Sequence, residues 1–116
     1  MSIERIHIGP RMSQVVIHGD TVYTAGQVAF DAPGASVAEQ TKDILGRIDS
    51  LLAEAGSDKS KLLSATIWIT DMAKFEEMNK VWDAWVSPGN TPGRACVQAK
   101  LAAPQFAVEI AVIAAR

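Results

Sequence analysis

Lys61-Leu62-Leu63-Ser64-Ala65-Thr66-Ile67-Trp68-Ile69-Thr70 alternates in character with period two and lies between two stretches of helical period. Successive side chains of a strand point to opposite faces. Leu63, Ala65, Ile67 and Ile69 are therefore expected on one face, and Ser64, Thr66, Trp68 and Thr70 on the other. Upstream, Ser36 and Glu39 form an S-x-x-E capping box. Val37, Thr41, Ile44, Leu45, Ile48, Leu51, Leu52 and Ala55 then recur at helical spacing, and Gly56 supplies the stop. Downstream, Asp71 is placed to cap a second helix with the apolar stripe Phe75, Met78, Val81, Trp82 and Trp85. That helix ends before Ser87-Pro88-Gly89.

Farther out, Ile3, Ile6 and Ile8 mark an edge-like opening segment that ends at Gly9-Pro10. Gln14 to His18 and Val22 to Thr24 are β-rich runs joined by Gly19-Asp20, the pattern of a hairpin. The second run is expected to continue through Ala25-Gly26-Gln27 to Phe30, with a turn from Asp31 to Gly34. Gly26 inside a strand pattern marks a bulge or a close approach by another backbone or a ligand. Two closing strands, Arg94 to Lys100 and Phe106 to Ala114, flank a turn near Pro104. The order β-β-α-β-α-β-β predicts an α+β fold with two helices on one face of a mixed sheet. In a chain this short the helices cover only that face. The other face, small and apolar, predicts self-association as a closed cyclic oligomer.

The 116 residues are read as one domain, 1–116. A net charge of −2 argues against a general nucleic-acid or membrane-surface binder. One cysteine allows no intramolecular disulfide and points to a reducing cytoplasm. Met1 to Pro10 lacks a basic start followed by a long apolar run, so no signal peptide is expected. No apolar run reaches the roughly 20 residues of a spanning helix.

The charges near the C-terminus are the candidates for chemistry. Period two sets Arg94, Cys96 and Gln98 on one face of their strand, with Ala95, Val97 and Ala99 turned toward the helices. It sets Ala107, Glu109 and Ala111 on one face of the last strand. If these strands pair as antiparallel neighbours, Glu109 lies near Arg94 or Cys96. Arg94 then has two readings: an ion pair with Glu109 or with an acid of a neighbouring subunit, or a bidentate clamp on a small carboxylate. Glu109 has the same structural reading. Its functional one is to orient a water or move a proton, with a pKa raised by an apolar site. Cys96 reads as a small buried hydrophobe rather than a nucleophile, since no histidine lies near it in sequence. Asn79, on the flank of the second helix's stripe, is either a capping or solvent-facing amide or a polar contact to a loop lining the site. His7 and His18 have no companion at zinc-like spacing, so no metal site is expected. There is no phosphate-loop motif. Trp68, Trp82 and Trp85 read as core or interface packing rather than a stacking surface.

These pieces together resemble the RidA (YjgF) family over nearly the whole length. The resemblance rests on Ser13-Gln14, Tyr23-Thr24-Ala25-Gly26-Gln27-Val28, Glu39-Gln40-Thr41, Leu51 to Gly56, and Thr70-Asp71-Met72 with Phe75 and Met78-Asn79. It continues in Arg94-Ala95-Cys96-Val97 and Val108-Glu109-Ile110. It implies a chorismate-mutase-like fold and a homotrimer with clefts between subunits, each built from the closing strands of one chain and loops of a neighbour. It also implies a cofactor-independent deaminase of the 2-iminobutanoate/2-iminopropanoate type. Such an enzyme hydrolyses reactive imines and enamines, such as 2-aminoacrylate, to 2-oxo acids and ammonia. Carried over, Arg94 would bind the substrate carboxylate, Glu109 would position water, Cys96 would line the pocket, and the Gly26 backbone and Asn79 would approach the substrate. The chain departs from the family pattern in three places. Ala25 stands where serine is frequent, Met12 where tyrosine is common (with Arg11 before it), and Gln98 where an acid is frequent. These losses leave open a non-catalytic, carboxylate-binding or regulatory trimer, or a different hydrolase of a catabolic pathway.

Overall fold

The computed structural model describes residues 1–116. Six strands form one mixed sheet: β1 Ile3–Ile8, β2 Ser13–His18, β3 Thr21–Thr24, β4 Leu62–Ile69, β5 Gly93–Gln98 and β6 Val108–Ala115, in the order β1-β2-β3-β6-β4-β5. Helices α1, Val37–Glu54, and α2, Phe75–Trp85, join one face of this sheet in a single apolar core. The expected α+β layering is thus present. No helix is long and apolar enough to cross a membrane.

The ends of α1 form as their sequence dictates. Ser36 Oγ accepts from the Glu39 N–H at 3.2 Å and caps α1. Gly56, at φ 78°, takes the left-handed conformation that closes it. Every apolar residue of the expected α1 stripe is buried. Asp71 does not cap α2 as expected: it accepts from the Ala73 N–H at 3.0 Å and caps a short 3₁₀ turn, Met72–Lys74, that leads into α2, whose own start has no side-chain cap.

Gln40 adds a tie that periodicity does not show. Its amide donates to the carbonyls of Ala35 and Gln105 and accepts from the Ala107 N–H at 2.8 Å. It therefore fixes the loop that delivers β6. Gln40→Leu should lower the unfolding free energy by about 2–3 kcal/mol, because it strands buried backbone groups. A urea melt with an unchanged m-value checks this.

Four expectations are corrected. The opening segment is a full edge strand, β1, paired antiparallel to β2, so the element order carries one more strand at its start. Leu63 does not join the buried face. A β-bulge lies between Leu62 and Ser64, so Leu62 enters the core at 6% exposed while Leu63 is 54% exposed. The run after Thr24 is not a continuous strand; its one further β-bridge is Gln27–Ile110. Finally, the closing strands are not neighbours. The α2 crossover returns β5 parallel to β4, and β6 lies antiparallel on the other side of β4.

That last point decides the faces. Arg94 registers with Ala65 and Cys96 with Ile67, both core residues of β4. Adjacent residues of neighbouring strands share a face. Arg94 and Cys96 therefore point toward the helices and Ala95 and Val97 point away, the reverse of the expected orientation. Glu109 registers with Trp68, on the face without helices. Tyr23 and Val97 on that open face are 43% and 47% exposed.

Candidate active site

The candidate residues fall into two groups on opposite sides of the sheet. The first lies where β5 meets α2. The Arg94 guanidinium carbon sits 5.7 Å from the Phe75 ring centroid and 5.3 Å from that of Trp82. Positions 75, 79 and 82 form one helical stripe, so Asn79 belongs to the surface under Arg94. Asn79 Nδ2 donates to Glu76 Oε1 at 3.3 Å, while its Oδ1 is buried without a partner. Arg94 makes no ion pair; those present involve His7, Arg47 and Arg116. Aromatic faces support the guanidinium from below and leave its planar N–H fork open to a carboxylate.

Cys96 is half-buried beside this group. Burial pushes its thiol pKa up, and the nearby Arg94 charge pulls it down less strongly. The thiol stays protonated at neutral pH, which suits a pocket wall rather than a nucleophile. Gln98 is occupied elsewhere: its side-chain oxygen accepts from the Met72 N–H at 2.9 Å.

The second group surrounds Glu109 on the open face. It arises from a local departure of β3 from β6. Thr24 Oγ1 takes the Val112 N–H at 3.1 Å, the place of a ladder bond. The chain then arches over Ala25 and Gly26 and rejoins β6 where the Gln27 N–H donates to the Ile110 carbonyl at 2.8 Å. Gly26 thereby passes directly over the Glu109 carboxylate. A Cβ there would collide with Glu109 Oε2 and lie 2.9 Å from its carboxyl carbon. The close approach at Gly26 is to the Glu109 side chain, not to another backbone or a ligand as expected. Gly26→Ala should fold yet displace the carboxylate. Because a misplacement of about 1 Å in a reacting group costs roughly 10²-fold, the variant should lose about that much of any activity Glu109 carries, read as kcat/KM at unchanged secondary structure.

Glu109 has no hydrogen-bond or ionic partner and fronts a cavity of about 630 Å³ lined also by Arg11, Met12, Gln14, Gly26 and Phe106. Burial raises its carboxyl pKa above the usual carboxylate value. Gln27 fixes one wall: its Nε2 donates to Gln14 Oε1 at 2.7 Å and to the Ala25 carbonyl at 3.1 Å.

The structure therefore separates Arg94 from Glu109, against the expected proximity. Within one chain neither is the other's ion-pair mate. Phe75, expected in the apolar stripe, and Trp82, expected as core or interface packing, are the platform under Arg94. The signal was their spacing of seven about Asn79. Gln27 is an orienting residue that no sequence pattern marks; its burial, at 4% exposed, is visible only in the structure.

Comparison with known proteins gives one answer. The family model described as Endoribonuclease L-PSP matches residues 3–116. A RutC family protein of Haemophilus influenzae is 46% identical over 114 residues, covering 98% of each chain. RutC family protein YoaB of Escherichia coli K12 is 45% identical over 99% of each chain. A YjgF-family crystal structure from Neisseria meningitidis superposes with a TM-score of 0.96 at 45% identity, covering 100% of this chain and 96% of the other. A family member from Mycobacterium tuberculosis superposes at 0.89 and 26% identity, covering 99% and 100%. The two helices on a mixed six-stranded sheet match these neighbours, so the fold is the chorismate-mutase-like one of that family. The chain belongs to the YjgF/RutC (RidA) family.

Proposed function

We propose that the protein is a cofactor-independent deaminase that hydrolyses small 2-imino and enamine acids to 2-oxo acids and ammonia. It would work as a homotrimer in which the Arg94 side of one chain meets the Glu109 side of the next. The observation that carries this reading is the pair of incomplete halves. An arginine without an acid and a half-buried carboxylate without a partner lie on opposite faces of one sheet. A second copy can bring them together, and the uncovered sheet face, on which Tyr23 and Val97 are exposed, provides a surface for it.

The chemistry needs little more. Arg94 would hold the carboxylate of R–C(=NH₂⁺)–COO⁻ through its N–H fork. Glu109 would orient a water toward the imine carbon and take its proton as the C–O bond forms. Transfer of a proton to nitrogen and collapse of the carbinolamine release ammonia and leave the 2-oxo acid. For an enamine, protonation at C3 comes first, and a carboxyl with a raised pKa suits that step. The substrate carbon is already electrophilic, so positioning is the main task.

Ala25 and Met12 favour a second reading, a trimer that binds carboxylates without turnover. Both replace polar family residues, and Met12 lines the Glu109 cavity. The deciding experiment couples an enzyme that generates 2-imino acids to ammonia or semicarbazone detection across several amino acids. Accelerated ammonia release is expected, with RNA in a parallel tube left intact. A flat profile with measurable 2-oxo-acid binding would replace the deaminase by the binding trimer.

A further inference from the structure

A trough separate from both groups lies between α1 and α2 on the solvent side of the helix layer. Its volume is about 440 Å³, and Leu45, Val81, Ala84 and Trp85 form its apolar floor. Its rim carries Lys42 of α1, Lys80 of α2 and Lys59 of the 3₁₀ turn Lys59–Lys61 before β4. None of these lysines has an ion-pair partner. The single acid in the lining, Asp49, accepts the Trp85 indole N–H at 3.0 Å. A chain of net charge −2 thus gathers three cations around one acid.

The floor is held in place as well as apolar. Asp49 fixes the Trp85 indole from α1, Trp82 packs against it at 5.4 Å, and the Lys59 ammonium stands 5.4 Å from its ring centroid. A rigid ring with a cation beside it receives a second aromatic ring and a negative charge together.

Gly46 is the second, independent observation. It lines the trough from the interior of the 18-residue helix α1. Its backbone is not left-handed, and nothing lies within 4 Å of where a Cβ would stand. Neither conformation nor helix packing requires glycine here, although glycine costs about 0.5–1 kcal/mol against alanine inside a helix. Its absent side chain keeps the trough open.

We infer that this trough is a binding site for a small aromatic anion, a flat ring system bearing one carboxylate, sulfonate or phosphate. The volume falls within the roughly 300–1,000 Å³ of small-molecule sites. The rim supplies the complementary charge.

The test titrates 8-anilinonaphthalene-1-sulfonate onto the full chain at low salt, reading dye fluorescence. Saturation at one dye per chain is expected, weakened by added salt as the lysine charges are screened. Gly46→Leu fills the trough and should weaken binding at least tenfold. The double change Lys59→Glu and Lys80→Glu, which reverses two rim charges and lies outside the helix that holds Gly46, should do the same if Gly46→Leu perturbs the helix. Circular dichroism checks the fold of each. Saturable binding within twofold of wild type in both variants, or no saturable binding at all, overturns the assignment.

Discussion

Arg94→Ala should lower kcat/KM for a 2-imino acid by roughly 10²- to 10³-fold, the loss of a charge-assisted bidentate contact. The fold and oligomeric state should not change. Arg94 is exposed, and its only intramolecular support is the pair of rings on α2. Removing such a contact costs about 0.5–1 kcal/mol, too little to unfold the chain. Arg94→Lys keeps the charge but loses the planar fork, and it too should lose at least tenfold. Normal turnover by a folded, correctly assembled Arg94→Ala protein would end the carboxylate-clamp reading. A merely structural arginine would show the reverse: intact kinetics and a lowered melting temperature.

Glu109→Gln separates activity from stability in the opposite sense. Turnover should fall roughly 10²- to 10⁴-fold, the range for loss of a positioned proton acceptor. Stability at neutral pH should rise. The wild-type carboxyl pKa is raised in the folded chain by burial. Between its ordinary value and that raised value the folded state holds more protons than the unfolded one, so stability falls as pH increases through this window. Glutamine does not titrate. The variant's advantage in melting temperature should therefore grow across the window, level off above the folded-state pKa and vanish at lower pH. A variant less stable than wild type at pH 7 would mean that Glu109 has a favourable partner in the assembly. The same carboxyl sets the acid limb of the rate profile, which should turn above the ordinary carboxylate range.

The two variants together test the split site. If each cleft takes Arg94 from one chain and Glu109 from the next, trimers mixed at random from Arg94→Ala and Glu109→Gln chains contain some clefts with both residues intact. About a quarter of the clefts qualify. Activity should reappear on mixing two inactive proteins after subunit exchange. Continued inactivity after demonstrated exchange would place both residues in one chain's site.

Much of the fold was legible because local chemistry decides it. The capping Ser36, the stop at Gly56 and the apolar stripes of α1 and α2 act within a few residues of themselves. Their helices form where the pattern places them. The alternation at Ala65, Ile67 and Ile69 likewise fixes one face of β4. Leu63 escapes because a bulge adds one residue on one strand, and a period-two pattern carries no mark of it. The candidate residues Arg94, Cys96, Glu109, Gly26 and Asn79 were named from residue type, spacing and resemblance alone.

Their arrangement was a different matter. Strand order is a long-range property, and nothing local to Arg94-Ala95-Cys96 or Val108-Glu109-Ile110 says that β4 lies between them. Only the tertiary structure turns Arg94 toward Phe75 and Trp82 and sends Glu109 to the opposite face, under Gly26. The sequence by itself determined both helices, most of the strands, the family and the chemical groups, because these follow from short-range periodicity and side-chain type. The tertiary structure decided that the groups form two halves, because a crossover helix sets the direction of β5 and so the face each side chain occupies.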